Sequence, residues 1–438
     1  MRSWLGIAVV LTYGIASAQE MSYLDNGTIK LGVNLGAGGS ITYLAPSKSD
    51  RNVVNSFDFG RQIQMSYYSG PTPFVVGDKE PAKHWRHLGW NPVQSGDDFR
   101  NPGKVLDHSN DGKSIHVKCR PMQWPLDNEP GECAFETWIK LDGPTVRVKC
   151  RLTNQRGDMT QYAARTQEMP AVYTNGPYHR LMTYTGDKPF TGDGLTQIVK
   201  PKDHKGPWMH WLASECWAAH VDDAGWGLGV WHPGNYRFTG GFAGKPGRGG
   251  PKDEATGYIA PHRQEILDHN IVHEYEYVLI LGKLDDIRAR VLKEARRPAA
   301  PNYRFAKDRQ GWHHVNASDT GWPFDGDMKV LLDRDDAQMH SPATFFRAAE
   351  APTLRVEAAF HTKETIGQIY WTTFGDQDFS EKSSIRFPIV GDGAFRTYTV
   401  NLAKSERYEG IITGLRFDPT PVGHEGDWMR IKSIALGK

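Results

Sequence analysis

Several familiar signatures are scarce in this chain. Four cysteines among 438 residues are too few for a disulfide-built scaffold. They are Cys119, Cys133, Cys150 and Cys216, and their spacing matches no zinc-site pattern. Charge of one sign is also missing. Lys and Arg total 52 against 51 Asp and Glu, a net charge of +1 with no basic stripe. That balance argues against a nucleic-acid or anionic-membrane partner. The one marked apolar run, from Trp4 to about Ile15, is too short to span a bilayer. There is no internal repeat and no low-complexity tract. Helical periodicity is rare as well: only "DDIRARVLKEARR", Asp285 to Arg297, shows it, with Ile287 and Val291 on one face and Asp285 or Asp286 as the expected cap.

The apolar run lies in "MRSWLGIAVVLTYGIASAQE", with basic Arg2 before it and Ala16-Ser17-Ala18 after it. This is the pattern of a secretory leader cleaved after Ala18. The expected protein is secreted or periplasmic, with no membrane span and no cysteine at the cleavage point for a lipid anchor. Export permits disulfides. Cys119 and Cys133 flank the loop "RPMQWPLDNEPGE", and both a bridge and two free thiols stay open.

What is abundant is β pattern. "TIKLGVNL", "SIHVKCR", "CAFETWIKL", "TVRVKCRLTN", "GWGLGVWHP" and "HEYEYVLILG" are short, rich in β-branched and aromatic residues, and bounded by Gly, Pro, Asn and Asp. The length implies two domains. "RPAAPN" after the helical pattern reads as a linker, so the expected division is 1–18 leader, 19–297 first domain and 298–438 second domain. The second segment continues in strands, among them "LRVEAAFHT", "GQIYWTTFG", "GIITGLRFDP" and "WMRIKSIALG", at the size and rhythm of one β-sandwich.

Four stretches carry unusual chemistry. "DFGRQIQMSYYSGP", Asp58 to Pro71, reads as one long strand. Gln62, Gln64, Ser66 and Tyr68 fall on one face; Arg61, Ile63, Met65 and Tyr67 fall on the other. Amides, hydroxyls and rings suit a sugar ligand, whose hydroxyls need donors and acceptors and whose faces stack on aromatics. An exposed strand of an ordinary sandwich is the plainer alternative. "HWRHLGWNPVQSGDDF", His84 to Phe99, is a loop too aromatic for idle surface, either functional or packing its own tryptophans. "RTQEMPAVYTNGPYHR", Arg165 to Arg180, sets Glu168 among aromatics and near Arg165. That carboxylate is either an acid, base or nucleophile, or a structural partner of Arg165. "HKGPWMHWLASECWAAHVDDAGWGLGVWHPG", His204 to Gly234, holds five tryptophans and a hairpin turning at Asp222-Asp223-Ala224-Gly225.

"AFETWIKLDGPTVRVKCRLTNQRGD", with the early "GAGGSITYLA" and "FGRQIQM", resembles the large sandwich of the galactose mutarotase-like superfamily over residues 28 to 285. Gly60 and Arg61 match the Gly-Arg-x-x-Asn-Arg strand of its epimerases, while Gln64-Met65 replaces Asn-Arg. "GLRFDP" and the final "IKSIAL" resemble the jelly-roll carbohydrate-binding modules of exported polysaccharide-degrading enzymes. The resemblance implies an all-β chain, a large mutarotase-like sandwich followed by a smaller jelly roll, acting on a polysaccharide or oligosaccharide. For a glycoside hydrolase, which needs two carboxylates, Glu168 and Glu215 are the candidates, with His210 nearby in sequence. For a lyase, Tyr173 or His179 would take the proton, and Arg61, Gln64 or Arg180 would neutralise a uronate. Hydrolysis is the preferred expectation. A non-catalytic sugar-binding protein is a third reading, and a small-sugar epimerase has no evident need of the second sandwich. Substrate-binding candidates are Arg61, Gln64, Tyr68, Trp90, Arg180, Trp208, Trp211 and His232. No cofactor is expected; Asp325, Asp327 and Asp376 are candidates for a structural calcium ion. Trp312, His313, His314, Trp322, Trp371 and Trp428 are stacking candidates in the second domain.

Overall fold

The computed structural model describes residues 21–438; the leader at 1–18 lies outside them. Every strand pairing among the described residues is antiparallel. A ten-stranded sheet contains, side by side, Ser40–Pro46, Ile63–Ser66, Arg165–Asn175, Thr256–Glu265, Arg237–Ala243 and Trp208–Leu212. A nine-stranded sheet runs through Arg180–Thr183, Trp217–Val221, Trp226–Trp231, Val272–Lys283, Thr145–Asn154 and Cys133–Asp142. Two six-stranded sheets follow from residue 302 onward.

Alternation explains the layers. In Thr145–Asn154, Val146, Val148, Cys150 and Leu152 are buried, while Arg147, Lys149 and Arg151 face outward. Their core is shared with Ile63, Met65, Val172 and Ile259 of the ten-stranded sheet, so the two large sheets form a sandwich. A separate core of Leu354, Val356, Phe360, Trp371, Leu415 and Phe417 joins the two smaller sheets. All-β architecture is therefore what the side chains build.

Several expectations need correction. The Asp58–Pro71 stretch is not one long strand: only Ile63–Ser66 is extended in the sheet, because Gln62 adopts φ 86° and breaks the ladder. The helix is Leu284–Glu294; Lys283 is its N-cap, and Asp285 and Asp286 lie in its first turn. Its Ile287 packs on the nine-stranded sheet over Gly229, where a Cβ would come within 2.5 Å of the Ile287 side chain. All four cysteines are buried free thiols, so Cys119 and Cys133 form no bridge. Trp312 and Trp371 are core residues with no exposed surface, not stacking platforms.

The two sandwiches meet through a buried ionic knot. Arg309 donates to Asp319 and Asp268, each at 2.6 Å, and His314 Nε2 lies 2.8 Å from Asp319. Gln161 bridges both aspartates from the first sandwich. His314 is thus committed to this contact, and Trp322 packs against the large core.

Candidate active site

On the outer face of the ten-stranded sheet lies a cleft of ≈ 370 Å³. Glu168 sits at its floor, opposite Ser66 on one neighbouring strand and His262 on the other. The strand Arg165–Asn175 bulges between Glu168 and Val172. The extra residue shifts the side-chain alternation, so Glu168, Ala171 and Tyr173 share the cleft face while Met169 and Val172 enter the core. Without the bulge, Glu168 and Tyr173 would point to opposite sides of the sheet.

Aromatic rings wall the carboxylate. Tyr258, across from Tyr173, packs tilted at 4.8 Å from it, and Trp208 lies 4.8 Å from Tyr258. Tyr258 donates its hydroxyl hydrogen bond to Glu168, and the Tyr68 and Ser66 hydroxyls also turn to that carboxylate. Burial pushes the Glu168 carboxyl up, against the opposing pull of these hydroxyls. Tyr68 and Tyr258 are pushed well above the ordinary phenol range by burial and then by the Glu168 charge, and Tyr173 is raised by the same causes.

The other walls come from loops. Trp85 and Leu88 of the His84–Phe99 loop line the cleft, with Trp124 behind. Trp85 donates from Nε1 to Asp98 at 2.9 Å and packs edge-on against Trp124. Arg165 pins this loop through the carbonyls of Leu88 and His87, so it is not the ion-pair partner of Glu168. Gly60 lets the opposite loop approach, since a Cβ there would stand 2.7 Å from the Trp124 ring. That loop brings a second carboxylate, Asp58, which accepts from the Gly60 N–H at 2.9 Å and pairs with Arg61 at 3.2 Å. Arg61 also donates to the Glu254 carbonyl at 2.5 Å.

The sequence candidates therefore divide. Glu168, Tyr173, Arg61, Gln64, Tyr68 and Trp208 meet in this cleft. Gln64 is a supporting residue: its amide ties together Phe59, Arg61 and Ser95, and it is only 3% exposed. Glu215 does not join them. It is fully buried at the start of a strand in the other large sheet, bound by Arg288 at 2.8 Å and by Trp217 at 3.0 Å. Trp90 has no exposed surface and belongs to the core. His232 is buried against Tyr275, and Trp211 packs on Phe238. His179 and Arg180 lie beside the turn at Asp223, away from the cleft lining. His210 is exposed and faces His262, at 5.7 Å between rings.

Tyr258, Asp58 and Trp85 were missed. "TGYIAPHRQE" does alternate, with Tyr258, Ala260, His262 and Gln264 on one side, and that period of two was the available signal.

The fold and site together describe a double sandwich with an acidic, aromatic cleft on one sheet face. No family model and no curated protein matches the sequence. Among solved structures, the chain is similar to a galactose mutarotase-like protein from Lactobacillus casei, at 11% identity over 60% of this chain and 100% of that one, with a TM-score of 0.37. It is similar to an alpha-galactosidase from Geobacillus stearothermophilus at 8% identity, 67% and 44% coverage and a TM-score of 0.39. A xylan-binding module from Roseburia intestinalis matches 32% of this chain and 94% of its own, at 13% identity and a TM-score of 0.23.

Proposed function

We propose that this protein is an exported carbohydrate-active enzyme, a glycoside hydrolase that works on a sugar chain laid over the ten-stranded sheet. The carrying observation is Glu168: a carboxylate raised by burial, ringed by hydroxyls and flanked by the rings of Trp208, Tyr258 and Tyr173. A carboxyl held above its ordinary range stays protonated closer to neutral pH and donates a proton to a leaving oxygen. Asp58 replaces Glu215 as the second carboxylate. It pairs with Arg61 at 3.2 Å on the cleft wall. Tyr173 lines the same cleft, and burial first and then both carboxylates raise it. The rings then bind the apolar faces of the sugar.

Elimination is the weaker reading. Its base would be a tyrosine or histidine, yet burial raises Tyr68, Tyr173 and Tyr258, and His179 is outside the cleft. The leader at 1–18 would place the enzyme where polysaccharides are met.

The test is product mass spectrometry in ¹⁸O-labelled water on neutral, uronic and sulfated polysaccharides, with Glu168→Gln and Asp58→Asn beside the parent. Fragments carrying one labelled oxygen, and losses of about 10²–10⁴-fold in Glu168→Gln, are expected. Unsaturated fragments would move the protein to the lyases. Undiminished turnover in Glu168→Gln would remove that residue from the chemistry.

A further inference from the structure

The first cleft does not end at Glu168. Its cross-strand neighbour His262 lines a second cleft of ≈ 270 Å³, between the two sandwiches. Residues directly opposite in an antiparallel pair point to the same side, so the two hollows share one sheet face. The stripe between them is low. On Thr256–Glu265 it is Ala260; on Arg237–Ala243 it is Thr239 and Gly241. His210 borders it, two residues along its strand from Trp208.

The far cleft is built for a polar ligand. Arg237 lines it with no carboxylate partner among the described residues. His262 Nε2, His313 Nδ1 and Asn235 Nδ2 are buried at its walls without a hydrogen-bond partner. His313 and His340 come from the second sandwich, their rings 5.2 Å apart, and Phe379 packs edge-on against His340. Burial pushes His262, His313 and His340 each down to about 4. These imidazoles are neutral near pH 7, and a neutral imidazole both donates and accepts, as sugar hydroxyls require. The Arg309 knot holds the two walls together.

We infer that the second sandwich is part of the substrate site: the cleft at Arg237, His262, His313 and His340 is a distal subsite for the same sugar chain that Glu168 handles. This rests on the carbohydrate reading above. The two clefts adjoin at the Glu168–His262 pair, and from Tyr258 to Gln264 the strand advances roughly 20 Å, so an oligosaccharide of several units is needed to fill both. A sugar chain of several units is therefore the ligand that fills both clefts, and one or two units are held by the rings of the first cleft.

The test is isothermal titration of the full chain with cello-, xylo- and galacturono-oligosaccharides of one to six units. Arg237→Ala and His313→Ala, one from each sandwich, are titrated alongside, and folding is checked by circular dichroism. Turnover is read in parallel. For the ladder that binds, affinity should rise by about tenfold or more on lengthening past two units, which is ~1.4 kcal/mol. Both variants should lose that gain and keep the affinity for one and two units. Equal losses at every length, no dependence on length, or no binding to any ladder would overturn the subsite. Length-dependent binding without turnover would sustain it and remove the hydrolase reading; turnover without length dependence would do the reverse.

Discussion

Replacing Arg309 with methionine tests how the two sandwiches are joined. The guanidinium is 4% exposed, and its partners Asp268 and Asp319 are 5% and 0% exposed. Methionine keeps much of the packing over Phe324, which lies 5.3 Å from the guanidinium. What disappears is the charge that compensates two buried carboxylates. Removing one partner of a buried ion pair costs about 3–5 kcal/mol, because an uncompensated charge remains in a dry place. Asp319 keeps His314 and Gln161, and Asp268 keeps the Trp322 N–H, so the lower part of that range is expected. The assay is urea unfolding followed by tryptophan fluorescence, reading the first transition, since a chain with two cores need not unfold in one step. The pH dependence gives a second check. Burial pushes the Asp319 carboxyl up, but the His314 hydrogen bond and the Arg309 charge outweigh it and hold the group well below its ordinary range. A depressed carboxylate stabilises the fold above its unfolded pKa of about 3.9, and that stability is lost as pH falls below it. The gap between parent and variant should thus be widest near pH 7 and narrow below about pH 4. A gap under ~1 kcal/mol at pH 7, or one that ignores pH, would refute the ionic account of this contact.

Tyr258→Phe removes a hydroxyl that pulls the Glu168 carboxyl down, so that carboxyl should rise further; the alkaline limb of the pH–rate profile should move to higher pH, and an unmoved limb would separate Tyr258 from Glu168. Glu215→Ala strands Arg288, 11% exposed, beside an empty site. It should cost about 3–5 kcal/mol in urea unfolding while the folded fraction keeps its turnover per molecule, and lost turnover with unchanged stability would restore Glu215 to the chemistry. The cysteines should titrate as four thiols in denaturant and none in the native state, with unfolding unaffected by reductant; a protein that loses stability on reduction would contradict the free thiols.

The β architecture was legible because alternation and turn chemistry are local. "TVRVKCRLTN" is the strand Thr145–Asn154, and Asp222-Asp223-Ala224-Gly225 turns the hairpin between Trp217–Val221 and Trp226–Trp231, where Asp222 accepts from the Trp226 N–H at 2.9 Å. Glu168 and Tyr173 in the strand Arg165–Asn175, and Tyr68 just past the strand Ile63–Ser66, were legible as polar and aromatic residues that an ordinary sandwich has no other reason to carry. Tertiary structure decided the rest. A bulge beside Glu168 turned it and Tyr173 to one side, and no period of two foretells a bulge. Tyr258 reached Glu168 through strand order and Asp58 reached the same cleft through loop approach, across 90 and 110 positions of sequence. Glu215, equally plausible in the linear chain, was taken by Arg288 from the helix and sealed, and Trp90, Trp312 and Trp371 went to the cores. A residue type and its neighbours set what a side chain is able to do. Which face it ends on, and which distant charge meets it, is settled only when the sheets pack.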